Sequence, residues 1–304
     1  MREGTCSSVS RALGEPLFAT ASRVRAWVLI EQPGPWGREA LLESRLDPAV
    51  GRALHERAHA AGVRVLLIRR PGRPAPGRRH VFLAHTGRRT RWLEEVRLDD
   101  PGELLGLDWT RLGQSDPPGY GAPVARTIYL ACTNGRHDQC CATWGRPLAQ
   151  ELVGVLGDRL WESSHIGGDR FAGNLVCLPD GVYYGRVGPA EASRVVALHE
   201  RGRLDLEHYR GRCCYPPVVQ AAEHFLRRER ALTDLDGLVA ERREVGSGGV
   251  VAVRFAAGAG GRWLVRLRAT AADTGRLLTC HAPRPHWPPV YHLLGLTRLE
   301  QGDH

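Results

Sequence analysis

The chain has 304 residues, 42% of them hydrophobic and 25% charged, which is enough for one large core or two modest ones and excludes wholesale disorder. Its net charge of +9 is carried by arginine alone, since the sequence contains no lysine, and the arginines are scattered through every segment. No basic stripe with interleaved aromatics is present, so no nucleic-acid partner is expected. No apolar run reaches the ~18 residues that span a bilayer and the N-terminus lacks an apolar leader, so a cytoplasmic protein without a membrane partner is expected.

Residues 1–20 read as a loose lead-in. "VRAWVLIE" (24–31) is a β-rich apolar run and a buried strand. From 38 to 61 the spacing turns helical, with Leu41, Leu42, Val50, Leu54 and Ala58 on one face. Asp47 and Pro48 form a cap and first-turn pair that divides this stretch into two short helices, and Gly62 ends it. "VRVLLIRR" (63–70) is a second strand, followed by the basic, proline-rich loop "RRPGRPAPGRRH" (69–80). "HVFLAHT" (80–86) and "RWLEEVRL" (91–98) alternate and pair, and 100–109 is a short helix.

"GQSDPPGYGAP" (113–123) reads as a linker, after which the order restarts. Strand 125–133 leads to helix 145–157, with Pro147 near its first turn, and then to strand 159–164. A hairpin over 174–187 turns at Pro179-Asp180-Gly181 and precedes helices 188–202 and 216–232. Strands 249–257, 261–269 and 276–280 close the chain. Both halves read strand, helix, strand, strand pair, helix. The expected fold class is α/β: a unit over 21–112, a linker over 113–124, a similar unit over 125–235, and a small C-terminal β extension over 236–304.

Eight cysteines, without a secretory signal, are expected to be reduced. Three of them lie in "CTNGRHDQCC" (132–141). Cys132 ends a strand; Cys140 and Cys141 sit just ahead of a helix, where inward-pointing backbone N–H groups favour thiolate. His165 follows the next strand, and Gly167 and Gly168 let the backbone turn sharply before Asp169. In a βαβ order the two strands are parallel neighbours, so Cys132, Cys141 and His165 converge on one edge. Eight residues separate Cys132 from Cys141. That is too wide for a zinc knuckle and better suited to a two-iron cluster, for which mixed cysteine and histidine ligation has precedent.

"CTNGRHDQCCATWGRPLA", "WESSHIGGDRFAGNLVCLPDGVYYGRV" and "YRGRCCYPPVVQAAEHFLR" resemble the sucrase/ferredoxin-like proteins. The resemblance covers roughly residues 20–290 and is strongest over 125–230. It implies two thioredoxin-like, ferredoxin-type units in tandem, the second carrying a [2Fe–2S] cluster. The family pattern is a cysteine, eight residues, a cysteine, then H-x-G-G-H. It implies Cys132, Cys141 and His165 as ligands. Where the family has its second histidine this chain has Asp169, a harder, negatively charged ligand; Cys177, Cys140 and His137 stand as alternatives. Exchanging a neutral histidine for a carboxylate adds one negative charge, which implies a lowered reduction potential. The expected function is electron transfer between a redox donor and acceptor that the sequence does not name, with catalysis left open. A thiol-dependent oxidoreductase using Cys132 with Cys140 or Cys141, and a zinc-stabilised binding module, are the competing readings.

Several other residues invite a role. Arg136 and Arg170 flank the ligand candidates and are placed to offset cluster charge. Cys213-Cys214 reads as two buried thiols rather than a redox pair. Trp287 is expected to pack. No carboxylate pair declares itself for sugar hydrolysis.

Overall fold

The computed structural model describes residues 4–72, 77–258 and 261–300. Parts of the lead-in, of the basic loop and of the C-terminal extension lie outside those residues. The first half contains helix α1 (Cys6–Ala12), strand β1 (Ala26–Glu31), helices α2 (Ala40–Glu43) and α3 (Pro48–Ala61), and strands β2 (Val63–Arg69), β3 (Arg79–Thr86), β4 (Arg91–Leu98) and β5 (Ala122–Pro123). The second holds β6 (Ile128–Cys132), α4 (Gln139–Leu156), β7 (Leu160–Ser163), β8 (Leu175–Leu178), β9 (Val182–Tyr184), α5 (Pro189–Glu200), β10 (Tyr209–Arg212) and α6 (Pro217–Glu229). Strands β11 (Val239–Val245), β12 (Val250–Ala256), β13 (Arg262–Ala271) and β14 (Pro289–Leu299) end the chain.

The first ten strands make one sheet in the order β10-β9-β8-β6-β7-β2-β1-β3-β4-β5. Each half centres on a strand with a parallel neighbour on one side and an antiparallel one on the other: β1 between β2 and β3, β6 between β7 and β8. The halves join edge to edge where β2 meets β7 antiparallel, pairing Ile68 with Ser163 and Arg69 with Glu162. The last four strands form a separate antiparallel sheet against which α6 packs.

Strand alternation decides which side chains meet. Leu130 and Cys132 face a core with Trp27, Ile68, Trp161, Val176 and Tyr183. Tyr129 and Ala131 face the opposite core with Leu148 and Leu152 of α4 and Val195 of α5. Burying a leucine such as Leu130 contributes roughly 1.5–3 kcal/mol. Cys177 lies directly opposite Tyr129 on β8 and therefore belongs to this second core, on the other face from Cys132.

The stretch 38–61 does divide into two helices. Asp47 caps α3 by accepting the N–H groups of Ala49 and Val50, and Gly62 ends it in the left-handed conformation. Other expectations need correction. Helix α4 begins at Gln139, not 145, because the Asp138 carboxylate accepts the Cys140 N–H at 2.8 Å and starts the helix ahead of both cysteines. Pro147 is therefore interior. The 100–109 helix is a pair of 3-10 turns, Pro101–Gly106 and Trp109–Gly113. Residues 276–280 form no strand; Arg276 makes only an isolated bridge with His286, and the fourth strand is β14. The lead-in contains α1, with Cys6, Ser7 and Ser10 buried. Within 113–124, β5 pairs with β4, and the buried Glu94 carboxylate accepts the N–H groups of Gly119, Tyr120 and Gly121.

Candidate metal centre

The site is built at the carboxyl ends of β6 and β7, which run parallel with Cys132 opposite Ser163. From Cys132 the chain makes a short polar loop and enters α4, placing Cys141 in the first helical turn. Gly145 makes the close approach of helix to strand possible: a Cβ there would lie 1.8 Å from the Cys132 carbonyl oxygen. Beyond β7, Ser164 is fixed to β2 by two hydrogen bonds: its N–H donates to Leu67 O at 2.8 Å, and its hydroxyl accepts from Leu67 N at 3.0 Å. The chain then turns through His165 to Asp169, with Gly168 at φ 84°. A Cβ on Gly168 would meet Arg210 Nη2 at 2.3 Å. The fully buried Arg210 clasps this loop, donating to Gly167 O at 2.9 Å, to Asn174 Oδ1 at 2.8 Å and to Thr20 O at 2.5 Å.

Two overlapping groups of donors result. The sulfurs of Cys132 and Cys141 and a ring nitrogen of His165 lie within 4.8 Å of one another, as do donor atoms of His137, His165 and Asp169. Asp169 Oδ1 links the groups: it is 3.0 Å from Cys141 Sγ and 2.9 Å from His165 Nδ1. The other oxygen, Oδ2, is 3.9 Å from His137 Nε2. The rings of His137 and His165 stack with centroids 3.7 Å apart. Cys132, Cys141 and Asp169 are buried, whereas the two imidazoles form the half-buried outer face.

The electrostatics follow from this packing. The Cys141 thiol hydrogen-bonds to Cys132; burial opposes the charge, but that bond and His165 hold Cys132 well below the ordinary thiol value. Cys141 keeps its proton, because it lies against the Cys132 thiolate, is buried, faces the negative charge of Cys132 and Asp169, and donates to Asp169 Oδ1. Burial disfavours the His165 imidazolium, yet Asp169 and the Cys132 thiolate outweigh it and push His165 up to about 9. Burial likewise disfavours the Asp169 carboxylate, and His165, the Cys141 thiol and His137 together hold it below its ordinary value.

All four ligand candidates, Cys132, Cys141, His165 and Asp169, are thus brought together, and His137 joins them. Cys177 is on the other face of the sheet, and Cys140 turns toward Cys6 and Cys280. Arg210 was not legible as a site residue, because an arginine inside "YRGR" gives no sign that it is buried. Of the arginines that were singled out, Arg136 is exposed and Arg170 is committed to Glu15 at 3.0 Å. Cys213 and Cys214 are buried thiols, pushed up by burial to about 12 and about 11. Trp287, expected to pack, is 57% exposed.

The residues fit a metal centre. Two sulfurs, an imidazole and a carboxylate are ligands for transition metals and for mixed-ligand iron–sulfur clusters. The Oδ2 of Asp169 is buried with no hydrogen-bond partner, the His137 Nε2 standing 3.9 Å away, an expensive arrangement for a protein interior unless something else uses its lone pairs.

Among the described residues no helix is long and apolar enough to cross a membrane. No curated protein matches the chain. Two solved cysteine-to-serine variants of the thioredoxin-like [2Fe-2S] ferredoxin from Aquifex aeolicus are similar at 20% identity, with TM-scores of 0.26 and 0.25. The similarity covers 28% of this chain and 97% and 96% of those chains. The sucrase/ferredoxin-like family matches residues 17–211, well over half of the sequence, and the chain belongs to that family.

Proposed function

We propose that this is an electron-transfer protein with one [2Fe–2S] cluster, held by Cys132 and Cys141 on one iron and by His165 and Asp169 on the other. The observation that carries this reading is the convergence of these four side chains, with a buried Asp169 oxygen that no protein donor uses. The cluster would supply one-electron chemistry. We read residues 125–235 as a thioredoxin-like unit that carries it, and 21–112 as a similar unit without ligands that serves as scaffold and docking surface.

The chain's own residues set the conditions. Gly145 and the Asp138 cap hold the two sulfurs together, and Arg210 fixes the glycine turn and offsets negative charge. His165 is the one ligand able to exchange a proton. A cleft lined by Arg38, Glu39, His55, Arg64 and His137 opens onto it. Its two arginines outnumber the one carboxylate, which suits an acidic surface on a redox partner. The closeness of Cys132 and Cys141 also suits a dithiol oxidoreductase, but both cysteines are 1% exposed, which denies a substrate disulfide access. The stacking of His137 on His165 favours a second ligand set, in which His137 replaces Asp169.

Anaerobic purification tests the reading. The protein should be red-brown and contain iron and inorganic sulfide in equal amounts. Asp169→Ala should disturb the visible spectrum and Asp169→His should keep the cluster and raise its potential, while His137→Ala changes neither. The reverse pattern for the two alanine variants assigns the ligand to His137. An iron-replete preparation that is colourless and free of sulfide ends the proposal.

A further inference from the structure

Cys140 is adjacent to a ligand candidate but serves a different place in the fold. Its Sγ lies 3.6 Å from that of Cys6 in α1 and 3.5 Å from that of Cys280, and the Cys6 and Cys280 sulfurs are themselves 3.5 Å apart. Three sulfurs from the two ends and the middle of the chain therefore form a nearly equilateral triangle. The fourth member is Asp138, whose oxygens are 3.8 and 3.9 Å from Cys6 Sγ. Cys6, Asp138 and Cys140 are buried and Cys280 is half-buried.

We propose that Cys6, Cys140, Cys280 and Asp138 bind a single tetrahedral zinc ion, separate from the cluster. Sulfurs bound at about 2.3 Å around a tetrahedral ion stand about 3.8 Å apart, close to the edges of this triangle. The same edges do not suit an iron–sulfur cluster, in which one iron takes two protein ligands and the rest must reach a second metal. They do not describe a disulfide either, since bonded sulfurs lie about 2.05 Å apart.

The charge balance points the same way. Asp138 is 0% exposed, and among the described residues no arginine or histidine forms an ion pair with it. Its oxygens instead accept the backbone N–H groups of Cys140 at 2.8 Å and Cys280 at 2.6 Å and face the Cys6 thiol at 3.8 and 3.9 Å, whose proton a metal ion would replace. A buried carboxylate without a cation is costly, and a divalent ion supplies the missing charge. The sulfurs also receive donors suited to thiolate: Ser7 Oγ donates to Cys140 Sγ at 3.1 Å, and the Cys6 N–H to Cys280 Sγ at 3.4 Å. On binding, the three thiols release their protons to solvent and no electrons move. The ion would clasp α1 and the irregular segment before β14 to the N-terminus of α4, the helix that presents Cys141.

The test uses the full-length protein expressed with zinc and iron supplied, with both metals measured on the same samples. Wild type should hold about one zinc per chain in addition to its iron. Cys280→Ser should lose the zinc and keep the iron content and visible spectrum, which separates this site from the cluster. Asp138→Asn retains a helix-capping side chain and should weaken zinc binding by about 10- to 100-fold. Cobalt(II) added to zinc-stripped wild type should give thiolate charge-transfer bands and the intense visible bands of a tetrahedral ion. Native thiol titration, which needs no variant to fold, should find Cys280, the partly exposed sulfur of the three, protected with zinc and reactive without it. The proposal is overturned by zinc-free wild type, by zinc that survives Cys280→Ser, by unchanged affinity in Asp138→Asn, or by a disulfide among the three cysteines.

Discussion

The two halves of the large sheet end their central strands in opposite ways. Strand β6 ends at Cys132, and only residues 133–138 separate it from α4, so the helix begins on top of the strand end. Strand β1 ends at Glu31, and residues 32–47, which include α2, intervene before α3. The corner that holds sulfurs and imidazoles in the second half is filled in the first by Trp36 and Arg69. The Trp36 indole donates to Gln32 O at 2.6 Å, and the Arg69 guanidinium lies 4.4 Å from the indole ring centre. The same strand order thus yields a donor cluster where the loop is short and a plugged corner where it is long.

The largest expected effect tests the dependence on helix approach. Gly145→Ala places a methyl group 1.8 Å from the Cys132 carbonyl, so α4 must move or the fold must yield. We expect loss of iron and destabilisation of about 4 kcal/mol or more, read by iron content and a denaturant midpoint. The matched change in the first half is Gly51→Ala, whose methyl would meet the Leu41 carbonyl at 2.3 Å. It should destabilise the α2–α3 packing yet leave the iron content of the folded fraction intact. Equal iron loss in the two variants would show that the comparison is wrong.

Arg210→Met comes next. It removes a buried cation that holds the Gly167–Gly168 turn and leaves Gly167 O, Thr20 O and Asn174 Oδ1 without that donor. Leaving a buried acceptor unpaired costs about 1–3 kcal/mol for each one that finds no other donor. No arginine does this at the first-half corner, where Arg69 is partly exposed. Stability equal to wild type with an unchanged spectrum would remove Arg210 from the site's support.

Strand periodicity, the Asp47 and Gly62 helix signals and the parallel relation of β6 to β7 were all legible, because each depends on neighbours in sequence. So was the convergence of Cys132, Cys141 and His165, which follows once those strands are parallel; Asp169 joined them only through the family pattern. The join of β2 to β7 was not, since edge-to-edge pairing leaves no local mark. Strands β10 and β11 were missed because "YRGR" and "VAERREV" carry too much charge to read as strands. His137 looked like a loop residue; only the turn 134–138, closed by N–H bonds from His137 and Asp138 to Asn134 O, folds it over His165. The family spacing picked Cys141 over Cys140, but the physical reason was not legible: the helix starts at Gln139 and sends the two adjacent side chains about 100° apart.

Two histidines give the metal-free protein opposite pH dependences. His165 is raised to about 9, so its contribution is fully present below the unfolded value near 6.5 and is lost as pH rises through about 9. His224 of α6, stacked 4.1 Å from Phe18, is lowered by burial to about 4. Its unfolded form binds a proton first, so stability falls as pH drops from 6.5 to about 4, by on the order of 3 kcal/mol. Urea midpoints of His224→Gln should therefore lose much of the wild-type decline between neutral pH and the acid side. A decline as steep as that of wild type would place the acid sensitivity elsewhere.

The smallest effect lies at the seam between the halves. Glu162 of β7 takes the Arg69 guanidinium of β2 at 2.5 Å and accepts from Thr133 Oγ1 at 2.9 Å, one residue beyond Cys132. The pair is partly exposed, so its worth is that of a charge-assisted surface bond rather than a buried one. Glu162→Gln keeps the shape and one acceptor and should cost about 1 kcal/mol in the denaturant midpoint. Arg69 also lies over Trp36, so loosening it should alter the tryptophan emission of the plugged corner while the visible spectrum of the proposed cluster stays as it was. If that visible spectrum moves and the emission does not, the seam serves the group of sulfur and imidazole donors rather than the plug, and the two corners are coupled more closely than their loops imply.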